Sequence, residues 1–258
     1  DSIIQLVIGY KDTDVTTEGT FTSIIGRRAF YGVPIKGSLY IHSYVKTIEE
    51  YAFATDQASS SSSITNVNIF AAEIKPFAFS NAGIITNLNI YSKEINFHAF
   101  DDCNITNLVI NYKDPLFDKA NYPCIKEQAF YGLHISKLEI SNEYIIEKSA
   151  FQRCNFVEQC SLTIKAKTIK SYAFASCKSQ NDCTVEIGDC NIEDFAFMDF
   201  SKIKELSFTA EKECIIGDYT FIGSVIQTDK FKVLTFPSSV TSIGVGAFAN
   251  ISTLTKSI

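Results

Sequence analysis

The chain has 258 residues, of which 46% are hydrophobic and 20% are charged, and its formal net charge at pH 7 is −6. This acidic balance argues against nucleic acid or an anionic membrane as the main partner, because a phosphate-binding footprint needs clustered Lys and Arg. No apolar run is long enough for a transmembrane helix, and the 21 Phe and 12 Tyr beside a single Met and no Trp favour strands over helices.

A six-residue motif, Ile-x-x-x-Ala-Phe, recurs ten times along the chain, with Thr220 as the only departure from Ala. Successive motif Phe residues are 21 to 30 positions apart, and self-similarity near such a period is typical of leucine-rich-repeat solenoids. In chain order the motif Phe residues are Phe30, Phe53, Phe79, Phe100, Phe130, Phe151, Phe174, Phe197, Phe221 and Phe248.

Between successive motif Phe residues, two large apolar residues stand two positions apart, which predicts a short strand with one buried face. These pairs are Leu6/Ile8, Leu39/Ile41, Val67/Ile69, Leu88/Ile90, Leu108/Ile110, Leu138/Ile140, Leu162/Ile164, Val185/Ile187, Leu206/Phe208 and Leu234/Phe236. A single copy buries too little apolar surface to be stable, whereas stacked copies share a continuous core. We therefore predict a β-rich leucine-rich-repeat solenoid over residues 1–258, with about ten coils, one parallel β-sheet along one face and little helix.

The repeat resembles the BspA-like class of leucine-rich repeats, whose copies contain Val-x-x-Ile-Gly-x-x-Ala-Phe after a short strand and a Pro. The segment 234–248, Leu-Thr-Phe-Pro-Ser-Ser-Val-Thr-Ser-Ile-Gly-Val-Gly-Ala-Phe, is the copy most similar to that pattern, while most other copies lack the Pro and several carry insertions. The resemblance covers essentially the whole chain. It implies a secreted or surface-displayed protein that binds other proteins or host surfaces, and it implies no catalytic residues.

Eight cysteines occur at related phases of the repeat, and we interpret them as disulfide candidates. Two local pairs share one spacing, a third pair precedes the motif Ile of consecutive coils, and the last pair flanks the longest insertion. In that order the expected pairs are Cys154/Cys160, Cys177/Cys183, Cys190/Cys214 and Cys103/Cys124. Buried free thiols are the alternative for the cysteines that follow the motif Phe, and zinc is disfavoured because no Cys-x-x-Cys occurs.

The sequence predicts no catalytic, metal or cofactor site. His42, His98 and His134 stand at different phases of the repeat without a companion at metal-ligand spacing, and no nucleophile or phosphate-loop motif is present. The sequons at Asn104 and Asn250 are glycosylation candidates if the protein is secreted.

In the N-terminal half, the outward strand positions and the positions just after them form a column of amides beside a column of aromatic rings. These candidate ligand-binding residues are Tyr40, His42, Asn66, Asn68, Phe70, Asn87, Asn89, Tyr91, Asn107 and Asn111. They are either a platform for a ligand or a ladder of Asn side chains that stabilises the sheet. Outward positions of the C-terminal half are charged or small and polar, as on an ordinary solvated face.

The first strand pattern begins at Ile3, and the sequence stops after the last Ala-Phe turn. Ends that lie in mid-coil favour head-to-tail stacking into a filament as an alternative function. The leading hypothesis is a non-enzymatic, secreted or cell-surface protein that mediates adhesion or protein–protein interaction. Its expected partner is a protein of a host, a matrix or another cell surface.

Overall fold

A computed structural model describes residues 3–9, 23–56, 63–112, 121–141, 143–226 and 234–251. Each of the predicted insertions, at 9–23, 55–63, 111–123 and 222–230, contains residues outside the described ranges. Over those ranges the chain forms strands and no helix. The strands are β1 (Ile3–Ile8), β2 (Ser23–Ile25), β3 (Ile35–Ile41), β4 (Val45–Ile48), β5 (Ser63–Ile69), β6 (Glu73–Ile74), β7 (Ile84–Ile90), β8 (Glu94–Ile95), β9 (Asn104–Asn111), β10 (Cys124–Ile125), β11 (His134–Ser141), β12 (Ile145–Ile146), β13 (Asn155–Ile164), β14 (Thr168–Ile169), β15 (Lys178–Ser179), β16 (Cys183–Ile187), β17 (Asn191–Ile192), β18 (Ile203–Phe208), β19 (Cys214–Ile216) and β20 (Val240–Ile243).

These strands form a parallel solenoid with two sheets. The front sheet has the order β1-β3-β5-β7-β9-β11-β13-β16-β18, with β15 paired to β13, and the rear sheet has the order β2-β4-β6-β8-β10-β12-β14-β17-β19-β20. The predicted solenoid with one parallel sheet along one face is confirmed, and the structure adds a second, rear sheet that the sequence did not predict. Most rear strands are only two residues long and end on the motif Ile, so they are too short to show an alternating pattern.

The register of the front sheet places the predicted apolar pairs above one another. Leu88 aligns with Leu108 and Ile90 with Ile110, and the other pairs from Leu6/Ile8 to Leu206/Phe208 continue both columns. From β3 to β18 these side chains are buried, so the sheet's inner face forms one side of the core. The tenth predicted pair is not in a strand, since residues 234–237 are irregular. Pro237, which lacks the N–H that a ladder needs, follows this pair directly.

The motif Phe residues form a continuous stack along the other side of the core. Ring centroids of consecutive Phe residues lie 4.9–5.1 Å apart, with interplanar angles of at most 11°. The N–H of each motif Phe, up to Phe221, also donates to the carbonyl of the Ala, or of Thr220, in the next coil, at 2.7–3.1 Å. The small residue before Phe therefore lets neighbouring turns approach closely enough to hydrogen-bond.

Every one of these turns contains a residue with positive φ two positions before the motif Phe. Its φ lies between 50° and 60°, although the position is occupied by Gly only in the last coil. The residues are Arg28, Tyr51, Phe77, His98, Gln128, Ser149, Tyr172, Phe195, Tyr219 and Gly246. A left-handed backbone costs a non-glycine residue about 1–2 kcal/mol, and stacking of the aromatic members offsets part of this cost, as between Tyr172 and Phe195 at 5.3 Å.

The structure contains one disulfide among the described residues, between Cys160 and Cys183, whose Cα atoms are 4.4 Å apart in adjacent strands. The predicted local pairs Cys154/Cys160 and Cys177/Cys183 are therefore wrong. In the register of β13 with β11, Asn155 aligns with His134 and Ser161 aligns with Lys137. Since these partners are three residues apart in β11, Cys154 and Cys160, which precede Asn155 and Ser161, are separated by about three strand rises, or ~10 Å. A disulfide spans at most about 7 Å between Cα atoms.

The other cysteines are free thiols. The two expected to flank the longest insertion have different neighbours: the Cys103 thiol donates to the Phe79 carbonyl at 3.0 Å, whereas Cys124 Sγ lies 3.8 Å from a Glu147 carboxylate oxygen. Burial raises the pKa of Cys103 to about 12 and that of Cys124 to about 11, so both are protonated thiols at neutral pH. The expected Cys103/Cys124 disulfide is absent from the structure.

Candidate ligand-binding face

The outward face of the front sheet divides into two halves of different chemistry. Strands β5, β7 and β9 contain no charged residue at all. By contrast, β11, β16 and β18 carry charged residues at outward positions, among them Lys137, Glu139, Glu186 and Glu205. We call the outward side of β5, β7 and β9, with the aromatic residues that border it at the carboxyl ends of β3, β5 and β7, the neutral face.

Two ladders of asparagine side chains run across the neutral face. Asn107 donates to Asn87 at 2.8 Å and Asn87 donates to Asn66 at 3.0 Å, while Asn89 donates to Asn68 at 3.1 Å in the second ladder. The register of β5, β7 and β9 aligns the members of each ladder, which is why identical side chains meet. The predicted stabilising ladder is thus present in the structure.

The ladder leaves the amides with further binding capacity. An Asn side chain offers two N–H donors and a carbonyl oxygen with two lone pairs, and Asn87 uses one donor and one acceptor within the ladder. All five ladder residues are partly exposed. A ladder and a platform are therefore compatible, because neighbouring amides fix each other's orientation and still present polar atoms outward.

An aromatic cluster borders the amides where the strands leave the front sheet. Phe70 stacks on Tyr91 with ring centroids 4.4 Å apart and an interplanar angle of 6°, and Tyr40 lies 5.4 Å from Phe70. His42 follows at 6.0 Å from Tyr40 and stacks on Tyr44 at 4.6 Å. All five rings are partly exposed, so the cluster offers rigid apolar area beside the amides.

Two groups of residues on this face were not predicted. Tyr44 belongs to the cluster but lies in the turn after β3, so the alternation of inward and outward strand residues did not identify it. The other group consists of Thr65, Thr86 and Thr106, which directly precede Asn66, Asn87 and Asn107 in three consecutive strands. Their signal is the repeated tripeptide Ile-Thr-Asn, which is visible in the sequence. Asn111, the last of the predicted set, lies at the end of β9 and is partly exposed.

The histidines do not form a common site. His42 is in the aromatic cluster, His98 hydrogen-bonds to Gln128 through Nε2 at 3.1 Å, and His134 begins β11. Within the described ranges, no group of three or more His, Cys, Asp or Glu is arranged to hold a metal ion. Nor does any helix in those ranges have the length and hydrophobicity needed to cross a membrane.

Both glycosylation candidates have exposed side chains. Asn104 is the first residue of β9, and Asn250 lies in the last turn with a φ of 58°. Since Asn104 stands at the start of a neutral-face strand, a glycan on it would border the amide ladders. Modification at either position stays a prediction.

A protein-family model described as a BspA type leucine rich repeat region matches residues 13–119 and 123–255, in six copies. Searches of curated proteins and of solved structures give no significant match. The family match covers most of the chain and coincides with the ten stacked Phe turns.

Proposed function

The chain belongs to the BspA-type leucine-rich repeat family, and from this premise we propose that it is an extracellular or cell-surface adhesion module that binds a protein through the neutral face. Members of the family are typically surface proteins for protein interaction or adhesion, which supports the general role. The observation that carries the specific proposal is the pairing of fixed amides with fixed aromatic rings on three strands without a charge.

Pre-organisation supports this choice of face. A binding surface gains affinity when its side chains are already ordered, because less conformational entropy is lost on association. The aromatic cluster supplies Tyr and His side chains, and Tyr is enriched at binding hot spots. Charged residues are depleted at the centre of interfaces, which favours the neutral face over the C-terminal half.

The extracellular location is supported by the cysteine chemistry. The Cys160–Cys183 bond links consecutive coils, and such bonds persist mainly in oxidising compartments. The two sequons are consistent with the same location.

We also propose that the protein has no catalytic activity, in keeping with a family that is generally non-enzymatic. Head-to-tail assembly stays a prediction, because no contact among the described residues bears on it.

Binding to immobilised collagen, fibronectin and laminin tests the proposal, with Tyr40, Phe70 and Tyr91 changed together to Ala. We expect saturable binding of the unchanged chain to at least one of these proteins. The triple variant should bind at least about tenfold more weakly, because an anchoring aromatic residue commonly contributes more than about 1 kcal/mol.

A second triple variant, with Lys137, Glu139 and Glu205 changed to Ala, is the matched control. These residues are exposed on the same sheet in the C-terminal half, so binding should be within about twofold of the unchanged chain. Equal binding by both variants, or a larger loss in the control, contradicts the assignment to the neutral face. No binding to any of the three proteins contradicts matrix adhesion.

A further inference from the structure

The residues of the neutral face form three rows that run along the axis of the solenoid. The register of the strands aligns one outward residue of each strand with the next, so successive members of a row are about 4.8 Å apart. The first row is Asn66, Asn87 and Asn107, the second is Tyr40, Asn68, Asn89 and Val109, and the third is His42, Phe70, Tyr91 and Asn111. A ligand that lies along the axis therefore meets similar side chains at successive coils.

The rows present hydrogen-bond donors that the asparagine ladder does not use. Asn87 and Asn107 each donate one amide N–H within the first ladder, and an Asn side chain has two. Tyr40 and Tyr91 add hydroxyl groups, and both side chains are partly exposed. The face therefore suits a ligand that offers carbonyl oxygens at regular intervals.

The aromatic rings of the third row present their edges to a ligand. Phe70 and Tyr91 stack with ring centroids 4.4 Å apart and an angle of 6° between their planes, so their facing sides cover each other. Because the rings stack along the row, their edges point away from the sheet. The edge of an aromatic ring carries positive partial charge, which also suits a carbonyl oxygen, whereas a sugar ring packs on an exposed ring face.

The absence of charge narrows the ligand further. Strands β5, β7 and β9 contain no charged residue. A charged group buried against them would lose its hydration without gaining a counter-ion, and this loss is costly. The face therefore favours an uncharged segment.

The spacing of the rows favours one backbone conformation. A polyproline II chain has three residues per turn and rises about 3.1 Å per residue, so carbonyls on one side of it recur every ~9.3 Å. Two coils of the solenoid advance ~9.6 Å, which is the separation of Asn66 and Asn107 along the axis. An extended strand repeats every ~6.6 Å and matches neither one coil nor two. The carbonyls of an α-helix are already bonded within the helix.

We propose that the neutral face binds an uncharged, proline-rich segment of a single chain, in the polyproline II conformation and parallel to the solenoid axis. This inference rests on the proposed function, because it names the part of a partner protein that the face recognises. Proline offers a carbonyl and no N–H, and a polyproline II chain makes no internal hydrogen bonds, so every carbonyl is available. In a collagen triple helix, by contrast, some carbonyls bond to neighbouring chains.

Fluorescence anisotropy with labelled nine-residue peptides tests the proposal on the unchanged protein. An oligoproline of this length spans ~28 Å, which is longer than the run of four coils from β3 to β9. It should bind about tenfold more tightly than a Gly-Ser repeat of equal length, because the flexible chain loses more conformational entropy. An oligoproline with Glu at every third position should bind about tenfold more weakly than oligoproline itself.

Two double variants of the protein locate the bound peptide. Asn66→Ala/Asn107→Ala removes amides two coils apart and should weaken oligoproline binding about fivefold or more, because hydrogen bonds to the peptide carbonyls are lost. Lys137→Ala/Ser161→Ala is the matched control, since these residues continue the same row in the C-terminal half, and its affinity should stay within about twofold. Circular dichroism verifies the fold of both variants.

Competition with the matrix protein separates this inference from the proposed function. A matrix protein that binds through the neutral face, with no binding of oligoproline, overturns the polyproline II ligand and leaves the proposed function standing. Oligoproline binding that is sensitive to the Asn variant, with no matrix binding, supports the ligand and contradicts matrix adhesion.

Four further results would overturn the inference. They are equal affinity for the Gly-Ser peptide, equal loss in the two double variants, tighter binding of a triple-helical Pro-Pro-Gly repeat peptide, and tighter binding of the neutral glycan cellohexaose.

Discussion

At the scale of single residues, the motif Phe determines how closely the coils stack. Its ring packs on the rings of the coils before and after it, and its N–H donates to the next coil. Both interactions need the same spacing of about 5 Å, which parallel strands also require. The backbone and the core therefore agree on a single geometry.

Removal of one ring from the middle of the stack should be severely destabilising. Phe130 is 0% exposed, so Phe130→Ala should lower the free energy of unfolding by about 3–5 kcal/mol through lost burial and the cavity that remains. Urea unfolding followed by circular dichroism measures this change. Phe97 is 41% exposed, and Phe97→Ala should cost about 0.5 kcal/mol or less; similar losses for both variants would contradict the role given to the stack.

The left-handed turn residues make a second prediction. Asp102 is exposed, has a φ of 53° and occupies the same place, two residues after the motif Phe, as Gly32, Gly132 and Gly223. The Asp102→Gly variant should be more stable than Asp102→Ala by about 1 kcal/mol, because only glycine adopts this conformation without steric cost. Thermal unfolding of the two variants compares them directly, and a more stable Ala variant would refute the assigned turn geometry.

At the scale of the elements, the front sheet was predictable and the rear sheet was not. Each front strand has two inward residues separated by an outward one, and this alternation identifies a strand without tertiary information. Rear strands such as β8 and β10 have two residues, so the motif Ile could be recognised as repeated but not as part of a sheet. The cysteine pairing depended on extra residues in β13, which set the register that brings Cys160 to Cys183.

The asparagine ladder should contribute to the stability of the front sheet. Asn87 is its central member, and Asn87→Ala removes the hydrogen bonds to Asn66 and Asn107, which should cost about 1–2 kcal/mol in total. Lys137 aligns with Asn107 and Ser161 aligns with Lys137, so Ser161 lies in the same column beyond the ladder. As a control, Ser161→Ala should leave the free energy of unfolding nearly unchanged in the same assay. A neutral Asn87→Ala would show that the ladder adds nothing to stability.

The disulfide between coils should stabilise the array as well. A bond that closes a 23-residue separation contributes about 2–4 kcal/mol, mainly by restricting the unfolded chain. The double variant Cys160→Ser/Cys183→Ser should therefore unfold at a lower urea concentration than the oxidised protein. Its midpoint should not change with reductant if Cys160–Cys183 is the only bond present, whereas the unchanged chain should shift on reduction.

At the scale of the whole molecule, one scaffold carries two kinds of surface. The core columns run with little change from coil to coil, while the outward residues of the front sheet change from amides and rings to charges between β9 and β11. The outward set was predictable because the core pattern defines which positions face out. The contacts that order these outward residues could not be predicted, because they depend on the register between strands that are distant in sequence.

Site-specific photocrosslinking tests the central claim, that the neutral face is the protein-binding surface, most directly. A photoreactive phenylalanine analogue is placed at Val109 on β9 or at Thr163 on β13. Both residues align with Glu139 of β11, which lies between them, so they belong to the same outward column of the front sheet. Both side chains are partly exposed, so their intrinsic reactivity should be comparable. With the matrix protein that binds the chain, we predict crosslinks from position 109 and few or none from position 163; crosslinks mainly from position 163, or equal yields from both, would contradict the account.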